Sequence, residues 1–532
     1  MRLSTFALAL GTGIAALLPV LSSAQAAQVL NRPNDAEPES LDPQKTASLF
    51  PLGIDTDMFM GLLTLDADAK PVPGVAESWD VTPDKKIWTF HLRHDTKWSN
   101  GDPVTADDFV YSFRRLVDPK TAAADPSYLK DAVNYEAILS GKEKDLTKLG
   151  VEALDHYTLK LTLAEPRVVM PLLLAQPALF PLPRATIEKW GDQWTKPEHI
   201  VSNGPYVMTN WVPQAEIDLK KNPNFYDAAT VKIDQVRWLD ASDRQAALKR
   251  FQGGEFDWVS VPRSHIAWAK QNMADQLHTA LDKSSRFMPF NMAKGVLAQD
   301  IRLREALNLA IDRDILCTKL DPRGEQPAYG INPPVLSDYT PQSMPMKEMS
   351  QADRTARAKE LLKEAGYGPD HPLKLTVSYT TDDNTRQILL GIRSMLQPLG
   401  VDLTLDNMEW QVYVHLIQSR NFDLGMMGAS GTYDDYENGL DNYRSDAGEF
   451  NWGGYNSPKF DDLFHRGATA TDAETRRKLM EEAERTVLAD YAVIPLSFDA
   501  LNRLVSPKLV GLRDNQPMPQ SRHLSFKEGS AG

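Results

Sequence analysis

The chain has 532 residues, which at roughly 100–200 residues per domain excludes a single small module. Its 58 Lys and Arg against 72 Asp and Glu leave a formal charge of −14, arguing against a nucleic-acid or anionic-membrane partner. Apolar residues at 42% and charged residues at 24% are ordinary globular usage and exclude wholesale disorder.

Arg2 precedes an Ala- and Leu-rich run from Phe6 to Leu21, and Ala24-Gln25-Ala26 forms a small-x-small cleavage site. Residues 1–26 therefore read as a secretory signal peptide. The run is short and interrupted by Gly11, Gly13 and Pro19, so a membrane anchor is the poorer reading. The single cysteine, Cys317, leaves no lipid-anchoring Cys after the leader and no internal disulfide. The expected location is the periplasm, with the signal cleaved near Ala26. The longest later apolar stretch, Val168 to Pro183, carries four prolines and cannot serve as a membrane span, so no direct membrane insertion is expected.

In the N-terminal half, Ile87 to Leu92 and Tyr157 to Leu163 read as short strands between turns. His91 and His94 have a spacing that holds metals on helices, but on a strand they face opposite ways, and no metal is expected. Leu303, Leu307, Ala310, Ile311 and Ile315 predict one amphipathic helix that carries Cys317 as an inert apolar residue. Further on, Ala358, Leu361, Leu362 and Ala365 predict a helix stopped by Gly366. Strands through Leu373–Tyr379 and Val401–Leu405 flank a helix through Ile388, Leu389, Ile392, Leu396 and Leu399, a βαβ crossover in a parallel sheet. Asp434, Asp435, Glu437 and Asp441 lack calcium-loop spacing and read as a solvated loop, as does Gly448 to Pro458. No nucleophile elbow, zinc helix, phosphate loop or Cys-x-x-Cys pair occurs, which weakens the common enzyme readings.

Residues 74–112 read GVAESWDVTPDKKIWTFHLRHDTKWSNGDPVTADDFVYS. With Ser40-Leu41-Asp42-Pro43, Asn203-Gly204-Pro205-Tyr206, Asp312-Arg313-Asp314, Pro327-Ala328-Tyr329-Gly330 and Glu409-Trp410, this segment resembles the periplasmic oligopeptide-binding proteins, solute-binding components of peptide ABC importers. The resemblance implies an α/β, bilobal periplasmic-binding-protein fold of the large three-domain type, with a ligand cleft between lobes. It implies domain I from residues 27–59, 184–285 and 500–532, domain II from 60–183, and domain III from 286–499.

The resemblance also locates ligand-binding positions. Relatives carry a Gly-Trp pair and then an Asp that holds the ligand's α-ammonium. Here the segment is Gly428-Ala429-Ser430-Gly431-Thr432-Tyr433, so Ala429 replaces the Trp and Thr432 the Asp. An upstream carboxylate-binding Arg aligns with Met426. Phe287 and Met288 replace tyrosines, as do Asp125 and Asp499, with Phe498 beside the latter, while Trp410 closes the Glu409 motif. Asp434 and Asp435 are the nearest replacement carboxylates in sequence. Losing both charge anchors should reshape ligand choice. The expected protein is a monomeric, cofactor-free binder, not an enzyme. It takes peptides or peptide-like solutes and delivers them to an inner-membrane ABC permease with its ATPase subunits. The rivals are the same fold with a non-peptide ligand, such as an amphipathic acid or amino-acid conjugate, and a secreted hydrolase.

Overall fold

A computed structural model describes residues 27–46, 48, 50–431, 433–516 and 518–528. The proposed leader, residues 1–26, and Thr432 lie outside the described residues. Among the described residues no helix is long and apolar enough to cross a membrane.

Two large apolar cores divide the chain. One gathers residues from Leu30 to Trp258 together with Val505, Leu509 and Leu524. The other runs from Met288 to Leu496. The first lobe holds a four-stranded sheet in which Val29–Asn34 pairs parallel with Gln235–Asp240, followed by Glu216–Lys221 and Tyr206–Val212. It also holds an antiparallel sheet of Ala76–Val81, Ile87–Leu92, Thr158–Thr162 and Val151–Asp155. The helix Ala106–Val117 packs on that sheet because Phe109, Phe113, Leu116 and Val117 share one face. Its start is fixed where Asp108 accepts the Thr105 N–H at 2.8 Å. The C-terminal segment is pinned to this lobe: buried Asp57 accepts the Ser521 N–H at 2.9 Å and its hydroxyl at 2.6 Å.

The expected crossover is present in the second lobe. Leu373–Thr380 and Val401–Met408 run parallel in register from Leu373↔Val401 to Thr380↔Met408, joined by the helix Asp383–Leu396. Gly400 allows the return: its φ is +84°, and a Cβ there would lie 2.1 Å from the Gly368 carbonyl carbon. The expected single helix through Ile315 is instead broken. It ends at Ala310, Asp312 accepts the Ile315 N–H at 3.1 Å to begin a new turn, and Ile315 is exposed. An Asp at that point offers the backbone a competing acceptor, which the apolar spacing does not reveal. Cys317 sits in the following π-type turn, buried, and burial pushes its thiol up to about 12. His91 meets Asp80 at 2.9 Å, whereas His94 lies against the Tyr157 ring.

Two 13-residue strands, Leu277–Pro289 and Val493–Val505, connect the lobes. They pair antiparallel from Leu277↔Leu504 to Pro289↔Val493, with irregularities between Leu281 and Ser285 and between Arg286 and Phe287. Bulges bend a strand pair, so this pair turns where it passes from one core to the other.

Candidate functional site: the cleft between the lobes

Beyond the bend, Ser284 to Phe287 also pair on their other side with a short strand, Met427–Ser430, at the edge of the sheet. Along this junction runs a string of cavities. The largest, about 330 Å³, lies between the end of the first strand (Arg32 to Asp35) and Asp282, Ser284 and Asp499. Across Met518 it adjoins a cavity of about 140 Å³ lined by Leu52, Leu65, Leu172, Tyr433 and Lys283. Lys283, Ser430 and Gly431 link that cavity to small spaces behind the edge strand, where Ala429, Phe287, Ile331 and Trp452 meet. Alternation along the strand explains the split: Asp282 and Ser284 face one cavity, Lys283 and Ser285 the others.

Charge in the cleft is dense and mostly paired. Arg32 is fully buried, lies over Trp238 at 3.7 Å and donates to Ser521 at 2.7 Å. Arg244 pairs with Asp35 at 2.9 Å. At the bend, Arg263, Arg286 and Arg323 surround Asp321, with Glu325 and Asp499 beside Arg286. Asp499 lines the large cavity and has a buried Oδ1 without a hydrogen-bond partner among the described residues. Burial pushes its carboxyl above the usual range, opposed by Arg286 and Arg323.

The structure brings together only some of the expected ligand positions. Gly428 and Ala429 lie on the edge strand, Tyr433 and Asp434 on the interlobe wall, and Phe287 stacks on Trp452 at 6.1 Å. Phe498 is buried opposite Ser285. Four others take different roles. Met288 and Met426 point into the second core, Met426 with its backbone N–H and carbonyl both bonded to the Tyr413 hydroxyl. Asp125 is exposed and accepts the Ser127 N–H at 3.0 Å, capping a single turn. Trp410 is 56% exposed at the start of the helix Trp410–Gln418.

The acidic segment is the largest correction. Asp434 accepts the Ser337 N–H and hydroxyl at 3.1 and 2.8 Å, while Asp435 takes two bonds from Arg476, both at 2.8 Å. Glu437 is buried between Arg476 at 2.9 Å and Arg167 at 2.7 Å. Asp435 and Glu437 thus belong to an internal ion network and not a solvated loop, because their guanidinium partners come from remote parts of the chain. Lys283, Asp282 and Arg167 were missed in the sequence. The run Asp282-Lys283-Ser284-Ser285-Arg286, polar inside an otherwise strand-like stretch, was the available signal for the first two.

A family model described as "Bacterial extracellular solute-binding proteins, family 5 Middle" matches residues 70–451. The periplasmic oligopeptide-binding protein OppA of Escherichia coli is 37% identical over 496 residues, covering 92% of this chain and 91% of that protein. The probable deoxycholate-binding periplasmic protein YgiS of the same organism is 34% identical, covering 94% of each. The solved structure of the E. coli murein tripeptide-binding protein MppA superposes with a TM-score of 0.80 at 34% identity, covering 94% of this chain and 98% of that one.

Proposed function

The chain belongs to family 5 of the bacterial extracellular solute-binding proteins, and from that premise we propose that it captures peptides or peptide-like solutes between its two lobes. The observation that carries this reading is the string of cavities along Met427–Ser430. That strand ends its sheet and offers an open edge to a ligand main chain, with side-chain space in the adjoining cavity of about 140 Å³. The ligand is held without chemistry and passed in the periplasm to an inner-membrane ABC permease with its ATPase subunits. Domains I (27–59, 184–285, 500–532), II (60–183) and III (286–499) are part of the reading; the second core, from Met288 to Leu496, supports domain III, while I and II share the first core. A non-peptide amphipathic acid is the second reading, favoured by the likeness to YgiS and by the apolar cavity walls.

Native mass spectrometry of the protein purified from the periplasm tests the proposal. A bound peptide released intact supports it. A cleaved product formed by turnover, or failure of every peptide in a random mixture to bind, sinks it.

A further inference from the structure

Lys283 stands apart from the other cations of the cleft. Arg32 is committed to Asp57 and Ser521, Arg244 to Asp35, and Arg323 to Asp321 and Glu325. The Lys283 ammonium carries three donors, and among the described residues it has one charged partner, Asp434 at 3.3 Å. Asp434 also accepts two hydrogen bonds from Ser337, so it stays satisfied if the ammonium turns away. The Lys283 side chain is only 14% exposed. It lines the interlobe cavity of about 140 Å³, whose walls are mostly apolar (Leu52, Leu65, Leu172, Tyr433) with Gln176 and Gln520 among the neutral polar groups.

A largely desolvated ammonium with spare donors, set in an apolar wall, selects an acceptor group attached to an apolar body. We propose that Lys283 is the specificity-determining residue of this cleft and receives a carboxylate borne on a bulky apolar group, in the cavity between Leu172 and Tyr433. This deepens the proposed function and rests on it. The same chemistry is presented by the C-terminus of an apolar peptide and by an amphipathic acid. The ligand is thereby anchored through an anionic group, beside the segment whose Thr432 replaces an acidic residue. Backbone geometry supports the placement: the Lys283 carbonyl accepts the Gly431 N–H at 3.2 Å, holding the lysine against Gly431, which also lines the cavity.

Calorimetry on the full-length processed protein tests this with four probes: trileucine, trileucine amide, deoxycholate and methyl deoxycholate. In at least one pair the free acid binds about ten- to a hundredfold tighter than its neutral counterpart, the range for a hydrogen bond to a charged group. Whichever pair shows the preference identifies the source of the carboxylate. Lys283→Met, which keeps the apolar stem, abolishes the preference. Lys283→Arg retains it, and Asp434→Asn strengthens acid binding by releasing the ammonium. Equal binding of acid and neutral forms by the unaltered protein, or a preference that survives Lys283→Met, overturns the inference. If none of the four binds, the inference also falls, whereas the transport reading is decided separately by the co-purified ligand.

Discussion

Arg167 and Glu437 meet at 2.7 Å across the gap between the lobes, with side chains only 4% and 2% exposed. Each keeps a partner on its own side, Asp131 at 3.1 Å for Arg167 and Arg476 at 2.9 Å for Glu437. Opening therefore exchanges the interlobe pair without stranding a charge, which breaking an isolated buried pair would do.

As a contact between the two lobes, the pair would act as a latch against their separation. Arg167→Met is expected to enlarge the radius of gyration of the ligand-free protein in small-angle scattering. It is also expected to weaken ligand binding by roughly tenfold, since the closed form loses a contact that the open form lacks. An unchanged radius and affinity would remove the latch.

The latch should withstand mild acid. Burial raises the Glu437 carboxyl, but the Arg167 and Arg476 guanidiniums outweigh it and hold the group at about 2. Because the folded value is depressed, the stabilisation is present above the unfolded value of about 4.3 and disappears only as pH falls through about 2. The scattering radius is expected to stay constant from pH 7 to 4. An opening transition centred near pH 5 would contradict the assignment.

Asp257 behaves in the opposite sense. It ties the first strand to the bent sheet by accepting the Asn31 N–H at 2.7 Å, and burial pushes its carboxyl up to about 6. The folded state then holds this proton more tightly than the unfolded chain. Its favourable contribution is present below pH 4 and is lost as pH rises through 6. Asp257→Asn keeps an acceptor oxygen and should stabilise the protein at pH 7.5 by about 1 kcal/mol, discounted for partial exposure. Urea unfolding should show no such gain below pH 4; equal effects at both pH values would mean that titration is not the cause.

Ala429 lines the small cavities together with Phe287, Ile331 and Trp452. Those spaces are only about 20 Å³ each, so Ala429→Trp projects its ring over the open edge strand and should weaken ligand binding by roughly tenfold or more, with circular dichroism checking that the fold is kept. Affinity equal to that of the unaltered protein would show that the ligand does not reach this wall.

Processing is checked by intact mass. Exported protein is expected to begin at Ala27, because Ala24 and Ala26 present small side chains to the peptidase. Retention of Met1 to Ala26 in the exported form would refute cleavage.

Elements whose causes are local were legible in the amino-acid sequence. The pattern from Leu373 to Leu405 specified two parallel strands and their crossover helix, since apolar periodicity and the stop at Gly366 act over a few residues. The resemblance carried by residues 74–112 reached the family. The break at Asp312 escaped because a single side-chain acceptor outweighed the apolar spacing around it.

Which charges are solvated and which are partners was settled by long-range packing. Arg167 and Glu437 are 270 positions apart, and Asp435 finds Arg476 on the helix Ala473–Ala489, so an acidic run that reads as surface became the interior of an ion network. Lys283 was likewise an ordinary lysine until the bend between Leu281 and Ser285 turned it into the cleft. Burial and pairing depend on the path of the whole chain through space, and desolvation, which sets the strength of every charge in the cleft, exists only once that path has closed around it.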